Sequence, residues 1–222
     1  MSEFDQQPFE LVEFIDNPEP RCPVILLLDT SYSMSGAKID ALNDGLLTFR
    51  EEIRQDSLAM KRVEVLQVTF GPVRILGDFV TADAYDPPQL QPEGMTPMGE
   101  AIESALEQLR RRKDSYRQAG VSYYRPWVFL ITDGASTDDL SRAAASIAEG
   151  ERKKELNFFA VGVEGANMAE LGRLSVRDPL KLKGLAFREL FLWLSSSLSA
   201  RSHSNPADVV QLASPSGWTE VG

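Results

Sequence analysis

Apolar residues follow two rhythms along this chain, and the alternation between them lays out the fold. The first is an unbroken run. Val24-Ile25-Leu26-Leu27-Leu28 and Trp127-Val128-Phe129-Leu130-Ile131-Thr132 are short and almost wholly apolar, the mark of a strand covered on both faces. The second is a spacing of three and four. Ile39, Leu42, Leu46, Phe49 and Ile53 share one face of a helix expected over 37–54. Val63 to Phe70 reads as a strand, and Gly71-Pro72 turns the chain into 73–80, expected as an antiparallel edge hairpin. A turn-rich stretch from Asp86-Pro87-Pro88 to Gly94 ends at Thr96-Pro97. Pro97 suits the first position of a helix, which makes Thr96 its N-cap. That helix shows Met98, Ile102, Ala105, Leu106 and Leu109 on one side. Beyond strand 127–132 the pattern predicts a helix from about 138 to 153 and a strand over 157–163. A short helix within 165–174, a strand at 180–182 and a helix with Phe187, Leu190, Phe191, Leu194 and Leu198 follow.

Strand and helix alternate throughout, which predicts an α/β, doubly wound sandwich. Its central sheet would be mostly parallel with one antiparallel edge strand, and helices would cover both faces. Residues 1–20 read as an N-terminal arm, 21–199 as the domain and 200–222 as a polar linker and tail. In that tail Val209, Val210, Leu212 and Trp218 could dock on the body or meet a partner.

At 222 residues the chain fits one domain, and 43% hydrophobic residues suffice for its core. The net charge of −10 argues against general nucleic-acid binding. The basic run Arg110-Arg111-Arg112-Lys113, with Arg117 nearby, is the candidate exception, and its plainer reading is a solvated helix end. Cys22 is the single cysteine, so no disulfide framework or thiolate cluster forms, and a buried, inert thiol is expected. His203 is the single histidine and lies in a Ser-rich segment. Its isolation removes Ser-His-Asp and Cys-His catalysis and histidine-ligated zinc. The acidic start Met1-Ser2-Glu3-Phe4-Asp5 is unlike a signal peptide, and no apolar run nears membrane-spanning length. A cytoplasmic protein is expected.

The chemistry gathers at strand ends. Asp29 follows the first apolar run and opens Asp29-Thr30-Ser31-Tyr32-Ser33; Asp133 follows the second. In open α/β sheets the carboxyl edge, where strand order reverses, is the ligand edge. Alternation along an extended segment points Asp29, Ser31 and Ser33 the same way. Thr96 can join them from the loop that opens its helix. Carboxylates and hydroxyls are hard donors, a magnesium-type set, with manganese or calcium as other ions of that kind. A position left to water could take a carboxylate from another molecule. Taken singly these pieces are ordinary caps and turns; their joint occurrence, each at a strand end or helix start, makes a site. Asp138 and Asp139 read as caps of the next helix rather than ligands. Tyr123-Tyr124-Arg125-Pro126-Trp127 reads as packing below the Asp133 strand, with a partner surface as its alternative.

Asp29-x-Ser31-x-Ser33, the distant Thr96 and Thr132-Asp133-Gly134 resemble the metal-ion-dependent adhesion site of von Willebrand factor type A domains. The α/β order over 22–198 agrees with that family's Rossmann-like fold. The resemblance implies Asp29, Ser31, Ser33, Thr96 and Asp133 as the metal set. Asn17-Pro18-Glu19-Pro20-Arg21-Cys22-Pro23, Thr96-Pro97-Met98-Gly99, Tyr123-Tyr124-Arg125-Pro126-Trp127 and Phe191-Leu192-Trp193-Leu194-Ser195 are similar to the TerY-type bacterial tellurite-resistance branch. That similarity implies a stress-response role beside a protein phosphatase and a Ser/Thr kinase-like protein. Tyr32 and Met95 stand where the site often has Gly, and Ser136 where Pro is frequent. The two bulky residues narrow the approach to the ion without removing a ligand.

The leading expectation is a non-enzymatic module that binds an acidic residue of a protein partner through Mg²⁺. A subunit of an ATPase-driven metal-insertion or remodelling complex is the second. A metal-dependent phosphohydrolase is the third, weakened by the absence of a P-loop, a histidine base and an in-line nucleophile.

Overall fold

A computed structural model describes residues 14, 16–206, 208, 214, 215 and 217–220 of the chain. Its elements run β1 (Cys22–Asp29), α1 (Ala37–Ile53), α2 (Ala59–Arg62), β2 (Val63–Phe70), β3 (Arg74–Ile75), β4 (Val80–Thr81) and α3 (Met98–Ala119). Then come β5 (Trp127–Thr132), α4 (Ser141–Arg152), β6 (Asn157–Gly162), α5 (Met168–Leu174), β7 (Leu180–Lys181) and α6 (Phe187–Ser202). A 3-10 turn at Tyr32–Met34 links β1 to α1.

The seven strands form one sheet in the order β3-β2-β1-β5-β6-β7, with β4 also on β2. From β2 through β7 every pairing is parallel, while β3 and β4 lie antiparallel on β2. The edge hairpin therefore exists as two short pieces, interrupted at Leu76–Phe79. After β1 the chain adds β2 on one side and later returns to place β5 on the other. The gap between β1 and β5 is thus the switch point of the sheet. Register pairs Leu28 with Ile131, which sets Asp29 beside Thr132.

Period-two alternation in β1 divides the core. Val24, Leu26 and Leu28 pack with Ile39, Leu42, Leu46 and Phe49 of α1 and Leu190, Phe191, Leu194 and Leu198 of α6. Ile25 and Leu27 face Met98, Ile102, Ala105 and Leu109 of α3 and Ile147 of α4. Both layers are dry: β1 is buried along its whole length, which is why its sequence reads as one apolar run.

Three expectations need correction. Helix α3 begins at Met98 with Pro97 at its N-cap position, and the Thr96 side chain accepts no capping bond. The carboxylate of Asp138 caps it from across the fold instead, accepting from Gly99 N (2.9 Å) and Glu100 N (2.8 Å). The basic run at the end of α3 is only half solvated. Arg110 and Arg111 are exposed and pair with Glu107, whereas Arg112 turns inward to Glu64 and Lys113 is buried. Finally, α6 continues to Ser202, so helix replaces linker for its last residues.

Trp218 docks on the body: it is buried against Trp193 (5.4 Å between rings), and its carbonyl accepts from Lys183 N. Val209, Val210 and Leu212 lie outside the described residues. Cys22 is buried, and desolvation pushes its thiol up to about 12, in keeping with an inert side chain. Among the described residues no helix is long and apolar enough to cross a membrane.

Candidate metal centre

Three loops meet at the carboxyl edge, and backbone bonds lace them together. The first, after β1, is tied to the neighbouring strand by Thr30 N to Phe70 O (3.0 Å). The second carries Thr96 and is stitched to the first by Tyr32 N to Gly94 O (3.2 Å) and Glu93 N to Thr30 O (2.6 Å). The third, after β5, is tied to the second by Thr137 N to Thr96 O (2.9 Å). Asn43 of α1 clamps the long second loop further back, exchanging two hydrogen bonds with the backbone of Leu90. Gly71 makes the first junction: its φ is +135°, and a Cβ there would stand 2.6 Å from Ser31 N. Gly99 makes the last, since a Cβ would stand 2.5 Å from Asp139 O and push the third loop off α3.

The side chains then form a connected path. Asp29 Oδ1 accepts from Ser31 N (2.8 Å), an Asx turn that folds the loop over the strand end. Asp29 Oδ2 accepts from Thr132 Oγ1 (2.5 Å). Ser31 Oγ and Ser33 Oγ are 2.9 Å apart, and Ser33 Oγ donates to Asp133 Oδ1 (2.6 Å). Thr96 is buried, and its Oγ1 makes no hydrogen bond among the described residues. A Cβ placed on Gly134 would lie 3.6 Å from that hydroxyl and 3.9 Å from Ser33 Oγ, so both hydroxyls look onto the same spot. Lys38 Nζ donates to Asp133 Oδ2 from the first turn of α1.

Both carboxylates are buried, which is expensive for charges in a poor solvent. Desolvation raises the Asp29 carboxyl above its ordinary range; hydrogen bonds from Ser31 and Thr132 pull it part of the way back, and Asp133 adds repulsion. Two acids stand against one ammonium. The centre is short of positive charge.

A hard divalent ion fits that shortage. Magnesium takes six oxygens at about 2.0–2.1 Å, so neighbouring ligands stand about 2.9 Å apart. The Ser31–Ser33 and Ser33–Asp133 oxygen separations of 2.9 and 2.6 Å are close to such an edge. Among the described residues no group of three or more His, Cys, Asp or Glu could hold a metal. An ion held there would draw on hydroxyls, and those of Ser31, Ser33 and Thr96 are present with Asp29 and Asp133. Bound there, the ion would reverse the local charge and attract an outside anion. Around it rise Tyr32 and Met95, 65% and 67% exposed, an apolar rim on a polar centre.

The structure brings together all five residues named from the sequence: Asp29, Ser31, Ser33, Thr96 and Asp133. Sequence reasoning missed Lys38, Thr132 as the donor to Asp29, and Glu170, which accepts from Ser136 N (3.3 Å) to hold the third loop. Thr132 was within reach, as the residue paired across from Asp29 once β1 and β5 are neighbours. Lys38 carried no signal beyond a lysine on a helix face. Asp138 and Asp139 are indeed caps, but Asp138 serves α3 and Asp139 serves Ser141 N (3.1 Å).

A doubly wound, mostly parallel sheet with an oxygen-lined site at its switch point defines a class of α/β fold with its ligand edge at the carboxyl ends of the strands. Residues 82–188 match the family model of the von Willebrand factor type A domain. That match spans Thr96 and Asp133; the Asp29–Ser33 segment joins them through the β1–β5 register. The chain has the fold of a von Willebrand factor type A domain. Its fold is similar to that of the vWF domain of the type V pili tip protein Mfa5 from Porphyromonas gingivalis, with TM-score 0.58, 10% identity, and 86% of this chain and 99% of that one covered. It is similar also to proximal thread matrix protein 1 from the mussel byssus, solved with a zinc-occupied MIDAS motif (TM-score 0.54, 16% identity, 82% and 49% covered). The manganese-loaded Plasmodium vivax TRAP protein is a third (TM-score 0.52, 17% identity, 78% and 73% covered). At these identities the likeness is one of fold. The chain spans about half the length of the first structures it matches (49%, 45% and 48%). No curated protein matches it.

Proposed function

We propose that the protein is a non-enzymatic interaction module. Asp29, Ser31, Ser33, Thr96 and Asp133 hold Mg²⁺, and the ion's remaining position takes a carboxylate from a protein partner. One observation carries the reading: two buried carboxylates are bridged by serine hydroxyls at octahedral-edge spacing, beside an unused threonine hydroxyl. The exposed Tyr32 and Met95 supply what a partner needs around such an anchor, apolar contact that shields the ion from water. The imidazole and the thiol stand away from this centre. His203 pairs with Asp56 (2.9 Å) at the far end of the fold, and Cys22 is sealed in the core.

The setting we propose is a cytoplasmic, bacterial tellurium and stress-resistance assembly with a protein phosphatase and a Ser/Thr kinase-like protein as partners. Its support is the similarity of the four sequence segments around Arg21, Thr96, Tyr124 and Trp193 to the TerY-type branch. Affinity capture from the native cell tests both levels. Partners should be retained in Mg²⁺ and released by EDTA, and Asp29→Ala should retain none while remaining folded by circular dichroism. Capture that persists in EDTA would refute the metal-bridged mode; recovery of an ATPase instead of a kinase or phosphatase would refute the setting.

A further inference from the structure

The amino edge of the sheet, opposite the metal centre, holds a cleft of about 560 Å³. Lys113 and Arg117 reach it from the end of α3, Tyr123, Arg125 and Pro126 from the segment before β5, Lys154 from the turn before β6, and Arg201 from α6. The basic run and the Tyr-Tyr-Arg-Pro-Trp segment, far apart in sequence, converge here. Five cations and two acids, Glu155 and Asp208, line it in a chain whose net charge is −10; Arg117 and Arg125 are paired with Asp114 and Glu151 (2.6 Å each), which leaves Lys113, Lys154 and Arg201 as the cations to account for.

The cations are incompletely matched. Lys113 has a side chain only 6% exposed, yet its nearest carboxylate, Glu155, stands 3.8 Å away, beyond hydrogen-bond reach. Arg201 is buried and spends its guanidinium on neutral acceptors, the carbonyls of Asp208 (2.5 Å) and Pro206 (3.1 Å). The Asp208 carboxylate is turned to Asn205 (2.9 Å). Lys154 has no side-chain partner among the described residues. It is also the one non-glycine residue there with positive φ (58°), at the position after α4 where glycine is the unstrained choice. A buried lysine whose ion pair is this long and a lysine in the left-handed region at the rim both cost stability that ordinary residues would avoid.

We propose that this cleft binds a ligand through a phosphate group. A dianion suits the ammonium N–H donors of Lys113 and Lys154, with the positive charge of Arg201 beside them, better than a single carboxylate does. The volume exceeds that of a bare phosphate, and Tyr123 with Pro126 offers a wall for whatever carries it. Nothing in this inference depends on the metal centre.

Calorimetric titration of the full chain with inorganic pyrophosphate, in EDTA, tests it. Wild type and Asp29→Asn should bind alike, with affinity falling as salt rises. Lys113→Met and Lys154→Gly should each weaken binding by about tenfold or more. Lys154→Gly should raise the melting temperature while doing so, which separates ligand binding from a merely structural lysine. Two further arms identify the carrier: a phosphoserine peptide against its unphosphorylated form, and adenosine monophosphate against adenosine. Preference for either phosphorylated compound supports the site and names its source. Absence of binding by all of them, or undiminished binding in both lysine variants, overturns it.

Discussion

Buried carboxylates stand at both ends of this sheet, and their company differs. At the amino edge, Glu64 at the start of β2 is fully buried. Arg21 (2.8 Å) and Arg112 (2.8 Å) pair with it, and the Tyr116 hydroxyl donates to it. Phe14 from the N-terminal arm lies against both guanidiniums, 5.5 and 4.9 Å from its ring. At the carboxyl edge, Asp29 and Asp133 are equally buried, but hydroxyls and one lysine surround them. An acid answered by fixed cations is a finished structural joint. One answered by neutral donors is left with charge to give to a cation from outside. Residue type alone does not separate the two; the partners do.

The largest effect should come from the finished joint. Glu64→Gln leaves the buried Arg21 and the largely buried Arg112 without their anion and should cost about 3–5 kcal/mol in denaturant unfolding. Its response to Mg²⁺ should survive in whatever fraction folds. A loss well under that would mean solvent reaches the joint. Next comes the ion itself. Magnesium at a hundredfold above its dissociation constant should stabilise wild type by about 2.7 kcal/mol. Asp29→Asn should erase that gain and, in EDTA, match or exceed wild-type stability because an undercompensated buried charge is gone. If Asn there destabilises the metal-free protein strongly, Asp29 is a structural acid like Glu64. Thr96→Val keeps the shape and removes the hydroxyl. It should weaken Mg²⁺ binding by about tenfold, with metal-free stability changed by under about 0.5 kcal/mol. The smallest effect concerns the interior shared by both edges. With its thiol pushed up to about 12, Cys22 should resist alkylation at mildly alkaline pH until denaturant is added. Labelling of the native protein would show that the core opens.

What was legible in the sequence follows from how local its causes are. Strands β1 and β5 are covered on both faces, so each announces itself as an apolar run, and the aspartates at their ends come with them. The Asp-x-Ser-x-Ser spacing is local too. Pro97 points to Thr96, but the cap role that the local sequence assigns to Thr96 belongs to Asp138, which is 39 residues from Gly99 in sequence. The Glu64–Arg112 pair spans 48 residues, and a run of four basic residues hides that one of them faces inward. Arg112 lies three residues after Leu109, on the edge of the buried face, which was the signal available. Lys38 had none: its partner is fixed only when β5 comes to lie beside β1.

The central claim is that the carboxyl edge holds a divalent ion through hydroxyls as well as acids. Calorimetric titration of Mg²⁺ into wild type, Asp29→Asn and Ser33→Ala tests it most directly. The account predicts one ion per chain for wild type, none detectable for Asp29→Asn, and clearly weaker binding for Ser33→Ala. Equal Mg²⁺ binding in all three proteins would contradict it.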